Sequence, residues 1–187
     1  MSKELYFLRH AETSIVYELP PSKWPLSGKG REQAVKLALL GTFDEVDVLI
    51  SSEEPKAYQT AGPLAIKCKV PIIQDPYFNE LNRDHGLMMT TAGYRQAIHR
   101  ALVNPDHEEL GWEKPRAALK RFLAGVANVE SRYNSDKILV VSHGVVLTLY
   151  FSHLLGIEEH SPERWDNLGF CDWGLVRDGQ VERDLAQ

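Results

Sequence analysis

Residues 138–144 read Ile-Leu-Val-Val-Ser-His-Gly, and this stretch decides the fold class. Its four apolar residues, bounded on both sides by polar ones, predict a short strand that is buried in a sheet. The mostly apolar residues 145–155 follow at once and predict a helix that ends at Gly156. A strand that leads directly into a helix is the repeating unit of α/β folds.

Two more short strands are predicted, and both end in polar residues. Residues 5–8 lead into Arg9-His10, and residues 47–50 lead into Ser51-Ser52. If these strands are parallel neighbours, their carboxyl ends share one edge of the sheet, where ligands bind in such folds. We therefore expect these residues to meet Ser142-His143 at a common rim.

The remaining segments complete an alternation of strands and helices. The predicted elements are a helix opening at 27–30, a helix over 56–66, a short strand at 70–73, short helices near 91–103, a long helix through 119–126, and a hairpin of residues 171–177 and 180–183. Gly62-Pro63 should bend or shorten the second helix. This order predicts an α/β fold, a three-layer sandwich whose mostly parallel central sheet is flanked by helices.

Length and composition fit a single domain spanning residues 1–187. Of the 187 residues, 43% are hydrophobic and 25% are charged, which is typical of a globular domain with one core. Residues 76–112 are less regular and contain several Gly and Pro residues, so we predict that they form a small cap over the site. Candidates for an apolar pocket rim in this cap, although each is better explained by packing, are Arg83, His85, Met88, Met89, Tyr94 and Trp112.

Charge and cysteine content exclude several classes of protein. The net charge is −5 and no dense run of Lys or Arg occurs, so neither a nucleic-acid nor a membrane partner is expected. Cys68 and Cys171 stand outside any Cys-x-x-Cys pair, which favours two reduced thiols in a reducing compartment. The charged N-terminal residues do not resemble a signal peptide, and no apolar run approaches ~20 residues, so we expect a cytoplasmic protein.

The predicted rim carries residue types that suit phosphoryl transfer. A neutral imidazole at His10 can act as a nucleophile, and a second imidazole at His143 can donate hydrogen bonds to phosphoryl oxygens. Arg9 can serve the same site only if the strand has ended there, because successive strand side chains point to opposite faces. Taken singly, Arg9-His10 is more simply a surface pair and Ser142 a helix cap, so the combination carries the prediction.

Five segments in order resemble the motifs of the histidine phosphatase superfamily. They are residues 8–13, 25–34, 51–61, 78–81 and 140–144. The first resembles the family's Arg-His-Gly-Glu-(Ser/Thr) signature, the third its Ser-(Ser/Asp)-x-x-x-Arg-Ala-x-Gln-Thr-Ala segment, and the last its second-histidine element. Order and spacing also fit, so the chain is identified as a member of this phosphoglycerate mutase-like superfamily, in its phosphatase branch.

The resemblance implies a metal-independent phosphatase without a cofactor that hydrolyses phosphate monoesters of a small substrate or of a phosphoprotein. His10 would carry the phosphoryl group as a phosphohistidine, Glu80 would donate a proton to the leaving oxygen, and His143 would be the second imidazole. The substrate-binding residues that it implies are Arg9, Lys56 and Thr13. Glu80 would need burial or a neighbouring charge to hold its proton near neutral pH, and Asp84 is the alternative acid.

Three residues depart from the family's pattern. Ala11 replaces a glycine, Val16 stands where some members carry a phosphate-holding asparagine, and Lys56 replaces an arginine. Lysine offers a point charge in place of a planar fork, and losing one charge-assisted hydrogen bond costs roughly 1.5–3 kcal/mol. We therefore expect a slow enzyme or one that is tuned to an unusual substrate.

Other chemistries and functions are the alternatives to this interpretation. Residues 171–177 match a Cys-x5-Arg loop, but the following Asp178-Gly179 favours a hairpin over a phosphate-binding helix start. Nothing near the close pair Asp84-His85 completes a set of metal ligands, which disfavours a metallophosphatase. A phosphoglycerate mutase is one alternative function, and a catalytically weak member that binds a phosphorylated ligand or protein is another.

Overall fold

The computed structural model describes residues 3–85, 90–134 and 137–185. Its strands are β1 (Glu4–Arg9), β2 (Val48–Ser51), β3 (Ile72–Gln74), β4 (Lys137–Ser142), β5 (Trp173–Arg177) and β6 (Gln180–Arg183). Its α-helices are α1 (Gly28–Leu39), α2 (Pro55–Cys68), α3 (Thr91–Val103), α4 (Pro115–Arg132), α5 (Gly144–Leu155) and α6 (Ser161–Asn167). Within these ranges, no helix has the length and apolar character needed to cross a bilayer.

The strands form one sheet in the order β3-β2-β4-β1-β5-β6. The β3–β2, β2–β4 and β4–β1 pairs are parallel, whereas the β1–β5 and β5–β6 pairs are antiparallel. Five of the six residues of β4 are buried, which confirms the strand predicted there. Helices cover both faces of the sheet, so the predicted sandwich with a mostly parallel central sheet is also confirmed.

Two apolar layers lie on opposite faces of the sheet. Because strand side chains alternate between faces, Phe7 and Leu8 of β1 enter different layers. Phe7 packs against Phe122 of α4, with ring centroids 5.9 Å apart. Leu8 belongs to the cluster that contains Leu37 of α1 and Leu64 of α2. The two layers fix β1 firmly, and β1 leads into His10.

Helix α2 is longer than predicted. It continues to Cys68, five residues beyond Pro63, although this proline alone predicts a bent or shortened helix. Proline removes one backbone donor, whereas the buried side chains of Ala57, Ala61 and Leu64 hold the helix against the sheet on both sides of Pro63. Tertiary packing therefore outweighs the local helix-breaking effect.

Among its described residues, the cap predicted for residues 76–112 contains a 3₁₀ turn (Pro76–Phe78) and α3. Among its rim candidates, Trp112 is buried and His85 is exposed. The guanidinium carbon of Arg83 lies 5.2 Å from the centroid of the Tyr94 ring. The two rim candidates that fall outside the described residues are Met88 and Met89. That this segment covers the site stays a prediction.

The carboxyl ends of β1, β2 and β4 lie side by side. Arg9 is in register with Ser142, and Ser51 is in register with Val141. The His10 N–H, just beyond β1, donates to the Ser142 carbonyl at 3.0 Å. The three polar strand endings therefore meet at one rim, as the sequence predicts.

Candidate active site

His10 lies at the rim, and one of its two ring nitrogens already makes a hydrogen bond. Its Nδ1 is 2.8 Å from the Ala11 carbonyl oxygen, which can only accept a hydrogen bond. In the neutral ring Nδ1 therefore carries the hydrogen, and Nε2 keeps a lone pair. Burial, together with the neighbouring His143 and Lys56, lowers the pKa of the His10 imidazole well below its usual value. The ring is thus held neutral with one nitrogen ready to act as a nucleophile.

His143 faces His10 from the end of β4. The two ring centroids are 5.1 Å apart. The Nε2 atom of His143 is 2.6 Å from the Ser52 hydroxyl, whereas its buried Nδ1 has no hydrogen-bond partner among the described residues. The same hydroxyl accepts the Glu54 N–H at 3.1 Å, so its own hydrogen is available to Nε2. That arrangement fits the tautomer that carries the imidazole hydrogen on Nδ1. Burial lowers the pKa of His143 well below the usual value, and the cationic Lys56 adds to the effect.

Arg9 ends β1, so its guanidinium can reach the rim. One terminal nitrogen donates to the Leu168 carbonyl, and the guanidinium carbon lies 4.6 Å from the Phe170 ring centroid. Its buried Nε has no partner among the described residues. A side chain at Gly144 would lie 3.2 Å from that Nε, so glycine allows the close approach of Arg9 to the start of α5.

Lys56 is buried rather than solvated, with 2% of its surface exposed. Its ammonium forms an ion pair with the Glu54 carboxylate and donates to the Pro21 carbonyl at 2.8 Å. Burial lowers the pKa of Lys56, and the Glu54 charge opposes that shift. The cation expected at the phosphate site is therefore present, but a carboxylate of the same chain already binds it.

Glu80 is buried and caps the start of α5. Its carboxylate accepts the N–H groups of Val145 and Val146, each at 3.1 Å, and of Leu81 at 2.9 Å. Arg83 lies 4.0 Å away. Backbone donors at a helix N-terminus and a nearby guanidinium stabilise a carboxylate. Glu80 thus lies where an acid is expected, with its carboxyl group hydrogen-bonded to three backbone N–H groups.

The alternative acid, Asp84, faces a different part of the structure. Its two carboxylate oxygens accept the Ser22 N–H at 3.1 Å and the Ser22 hydroxyl at 2.5 Å. It lines a cavity of about 170 Å³ beside the rim, formed by residues 21–23, 53–54 and 79–84. Glu80 lines the same cavity, and its carboxylate contacts the start of α5, next to His143. Geometry therefore favours Glu80 as the carboxyl group nearer to the imidazoles.

The amino-acid sequence matches the histidine phosphatase superfamily (branch 1) over residues 5–182. This chain belongs to the histidine phosphatase superfamily. A curated relative named probable phosphoglycerate mutase GpmB, from Enterobacter sp. (strain 638), is 28% identical, and the match covers 86% of this chain and 79% of the relative.

Solved structures have the same fold as this superfamily member. A mycobacterial glucosyl-3-phosphoglycerate phosphatase superposes with a TM-score of 0.78 at 21% identity, covering 99% of this chain and 100% of that chain. The alpha-ribazole phosphatase from Shigella flexneri superposes with a TM-score of 0.74 at 24% identity, covering 98% and 96%. At these identities the likeness extends to the fold.

Two other residues of the first family signature, Ala11 and Thr13, make contacts close to His10. The Thr13 hydroxyl lies 3.3 Å from His10 Nδ1, on the side of the ring away from Nε2. Ala11, which replaces the family's glycine, does not have a positive φ, so its side chain fits without strain. Its N–H donates to the Thr60 hydroxyl at 3.0 Å. These contacts fix the loop that orients His10.

Two residues of the site escaped the sequence analysis. Glu54 stands at an unspecified position of the family's third motif, and its only signal was an acidic side chain two residues before the expected cation. Arg121 of α4 pairs with Glu113 at 3.0 Å and holds the chain leading to Glu80. The backbone carbonyls to which it donates are those of Pro76, Tyr77, Asn79 and Glu80. No motif marks Arg121, because all of its partners except Glu113 are main-chain carbonyls, which leave no pattern of side chains in the sequence.

Two alternatives from the sequence analysis concern Ser142, as a helix cap, and Cys171, as part of a phosphate-binding loop. The structure gives both residues other surroundings. The Ser142 hydroxyl donates to the Phe78 carbonyl at 2.7 Å and does not cap α5. Cys171 lies just before β5 and is followed by a hairpin, as predicted. Burial raises the pKa of the Cys171 thiol to about 11, so it stays protonated near neutral pH. Within the described ranges, no three His, Cys, Asp or Glu side chains are grouped to hold a metal ion.

Proposed function

We propose that this protein is a phosphatase that hydrolyses phosphate monoesters through a phosphohistidine on His10. The observation that carries the proposal is the state of the His10 ring. It is buried and neutral, and the Ala11 carbonyl binds Nδ1, so the lone pair lies on Nε2. The family and the phosphatases that share its fold give the proposal further support.

The reaction proceeds in two balanced steps. His10 Nε2 attacks phosphorus, the bond from phosphorus to the ester oxygen breaks, and the leaving oxygen takes a proton from Glu80. Water then attacks the phosphohistidine, the N–P bond breaks, and Glu80 takes the proton that the water loses. The Nδ1–H of His143 and the free N–H of Arg9 stabilise the charge on the phosphoryl oxygens.

Glu80 must carry a proton in the first step. The arriving phosphoryl group brings negative charge to the same pocket, and a nearby like charge favours protonation of a carboxyl group. The adjacent cavity of about 170 Å³ is the proposed place for the leaving group, because Glu80 is among the residues that line it. Substrate binding thus prepares the acid.

Trapping the phosphoenzyme tests the proposal. Incubation with a ³²P-labelled aryl phosphate and a quench that avoids acid should leave label on His10, with none in His10→Ala. His153→Ala is the matched control, because His153 lies exposed on α5. Label on Cys171, or full turnover by His10→Ala, would contradict the mechanism. Equal rates with and without EDTA would support metal independence.

A phosphoglycerate mutase is the second candidate function, favoured by the curated relative with that name. An assay for conversion between phosphoglycerates distinguishes it from hydrolysis. The Glu54–Lys56 ion pair favours a third possibility, a weakly active member that binds a phosphorylated small molecule or protein. Absence of turnover on a panel of aryl and metabolite phosphates, together with phosphate binding, would favour that possibility.

A further inference from the structure

Glu54 is a buried carboxylate that contacts several parts of the site. It lies between β2 and α2 with 7% of its surface exposed. One oxygen accepts the Glu80 N–H at 2.7 Å and lies 3.7 Å from His143 Nε2. The other oxygen pairs with the Lys56 ammonium. None of the steps of the proposed reaction uses this carboxylate.

The two cations of the rim differ in their partners. Arg9 donates to a carbonyl, which is uncharged, and retains an Nε–H without a partner among the described residues. Lys56 has an anion in contact and a second acceptor, the Pro21 carbonyl. An ammonium has three donors, so at most one of them is left for a phosphoryl oxygen.

We propose that Glu54 competes with the substrate's phosphoryl group for Lys56 and thereby sets a low affinity for phosphate. This inference rests on the proposed function of the site. A phosphate monoester dianion brings negative charge beside a fixed carboxylate, and like charges at close range in a poorly solvated pocket repel each other. Glu54 thus determines specificity by weakening the binding of the phosphate group itself.

The competition has a consequence for substrate class. If the phosphate contributes little affinity, the organic part of the ester must contribute more, and the cavity of about 170 Å³ beside Glu54 is available to hold it. Inorganic phosphate, which lacks an organic part, then leaves easily because Glu54 pairs again with Lys56. Weak binding of this kind raises KM and the inhibition constant of the product more than it changes kcat.

Calorimetric titration with inorganic phosphate tests the inference without requiring turnover. Glu54→Gln should lower the phosphate Kd by about tenfold, since the competing charge is removed while Lys56 keeps its place. Asp44→Asn is the matched control, because it removes one carboxylate from an exposed ion pair with Lys67 at the other end of α2. It should leave the Kd unchanged.

The folding of Glu54→Gln must be checked separately, because removing one partner of a buried pair leaves the other charge uncompensated. Glu54→Asp keeps the buried charge but shortens the side chain by one methylene. If Glu54→Gln does not fold, a Kd about threefold lower in Glu54→Asp supports the inference, and an unchanged Kd overturns it. Circular dichroism at the titration temperature decides which variant is used.

Kinetics separates competition from the other roles that Glu54 could have. The inference expects KM for an aryl phosphate to fall more than kcat changes. Weaker phosphate binding by Glu54→Gln would mean that Glu54 holds Lys56 in place for the substrate, which overturns the inference. A collapse of kcat confined to alkyl phosphates would instead assign the acid role to Glu54. No phosphate binding by either protein would overturn the inference, whereas the proposed function is tested separately by trapping the phosphoenzyme.

Discussion

The two sides of the rim hold their functional groups in different ways. At the ends of β1 and β4, His10 and His143 are neutral rings, and each is fixed by one short contact, to the Ala11 carbonyl and the Ser52 hydroxyl. At the end of β2 and in the segment after β3, the groups are charged and bind one another or backbone donors, as at Glu80. The imidazole side therefore depends on strand geometry, and the charged side depends on electrostatic balance.

The largest effect expected on the charged side comes from Glu80. Glu80→Gln should slow hydrolysis of an alkyl phosphate by about 10²–10⁴-fold, because a poor leaving group needs the proton. An aryl phosphate with a good leaving group should lose less than about tenfold. Steady-state kcat/KM on both substrates measures the difference. Asp84→Asn is the companion variant, and a leaving-group dependence that appears there and not in Glu80→Gln would move the acid role to Asp84.

The second largest effect on kcat/KM is expected from a substitution on the imidazole side, at His143. His143→Gln should lower kcat/KM on the aryl phosphate by about 10²–10³-fold, since it removes a donor aimed at developing phosphoryl charge. His153→Gln, an exposed substitution on α5, the helix that follows His143, should stay near the parent value. A loss of similar size in both variants would point to damage to α5 rather than to a catalytic contact.

The same difference between the two sides explains what the sequence could predict. The strands, their polar endings and the meeting of His10 with His143 follow from periodicity and from the rule that parallel strands end at one edge. Those features depend on neighbours in the chain or on strand order alone. The family's motifs then point to Glu80 and Lys56 as members of the same site.

The contacts of the charged side were beyond sequence reasoning. The surroundings of Glu80 depend on N–H groups about 65 residues later in the chain, and those of Lys56 on a carbonyl 35 residues earlier. The sequence placed Lys56 on a helix near the rim, but an acidic side chain two residues earlier was too weak a signal to predict that Glu54 binds it. Pairings of this kind are set by the packing of loops, for which no periodic pattern exists.

Lowering the pH should lower the free energy of unfolding, because His10 and His143 are neutral in the folded protein. Both pKa values lie well below the usual value near 6.5, so below that pH the unfolded chain binds more protons than the folded one. Stability is then insensitive to these groups above about pH 6.5 and falls as the pH falls, by up to about 1.4 kcal/mol per pH unit for each imidazole. Urea unfolding of the parent and of His143→Gln between about pH 7.5 and 5 measures this slope. An equal slope in both proteins would contradict a buried neutral His143.

The smallest effect concerns Lys56, where the two sides of the rim meet at the phosphoryl group. Lys56→Arg should raise kcat/KM on a small aryl phosphate by about threefold to tenfold, because a guanidinium can bind Glu54 with one pair of N–H groups and the phosphoryl group with another. Overpacking of this buried position should lower the free energy of unfolding by about 1–3 kcal/mol, so the gain is measured well below Tm. Lys67→Arg, an exposed change on the same helix, is the control and should alter neither quantity. A destabilised but kinetically unchanged Lys56→Arg would show that this cation serves only to neutralise Glu54. The charged side would then contribute Glu80 alone to catalysis, and the phosphoryl charge would rest on Arg9 and His143.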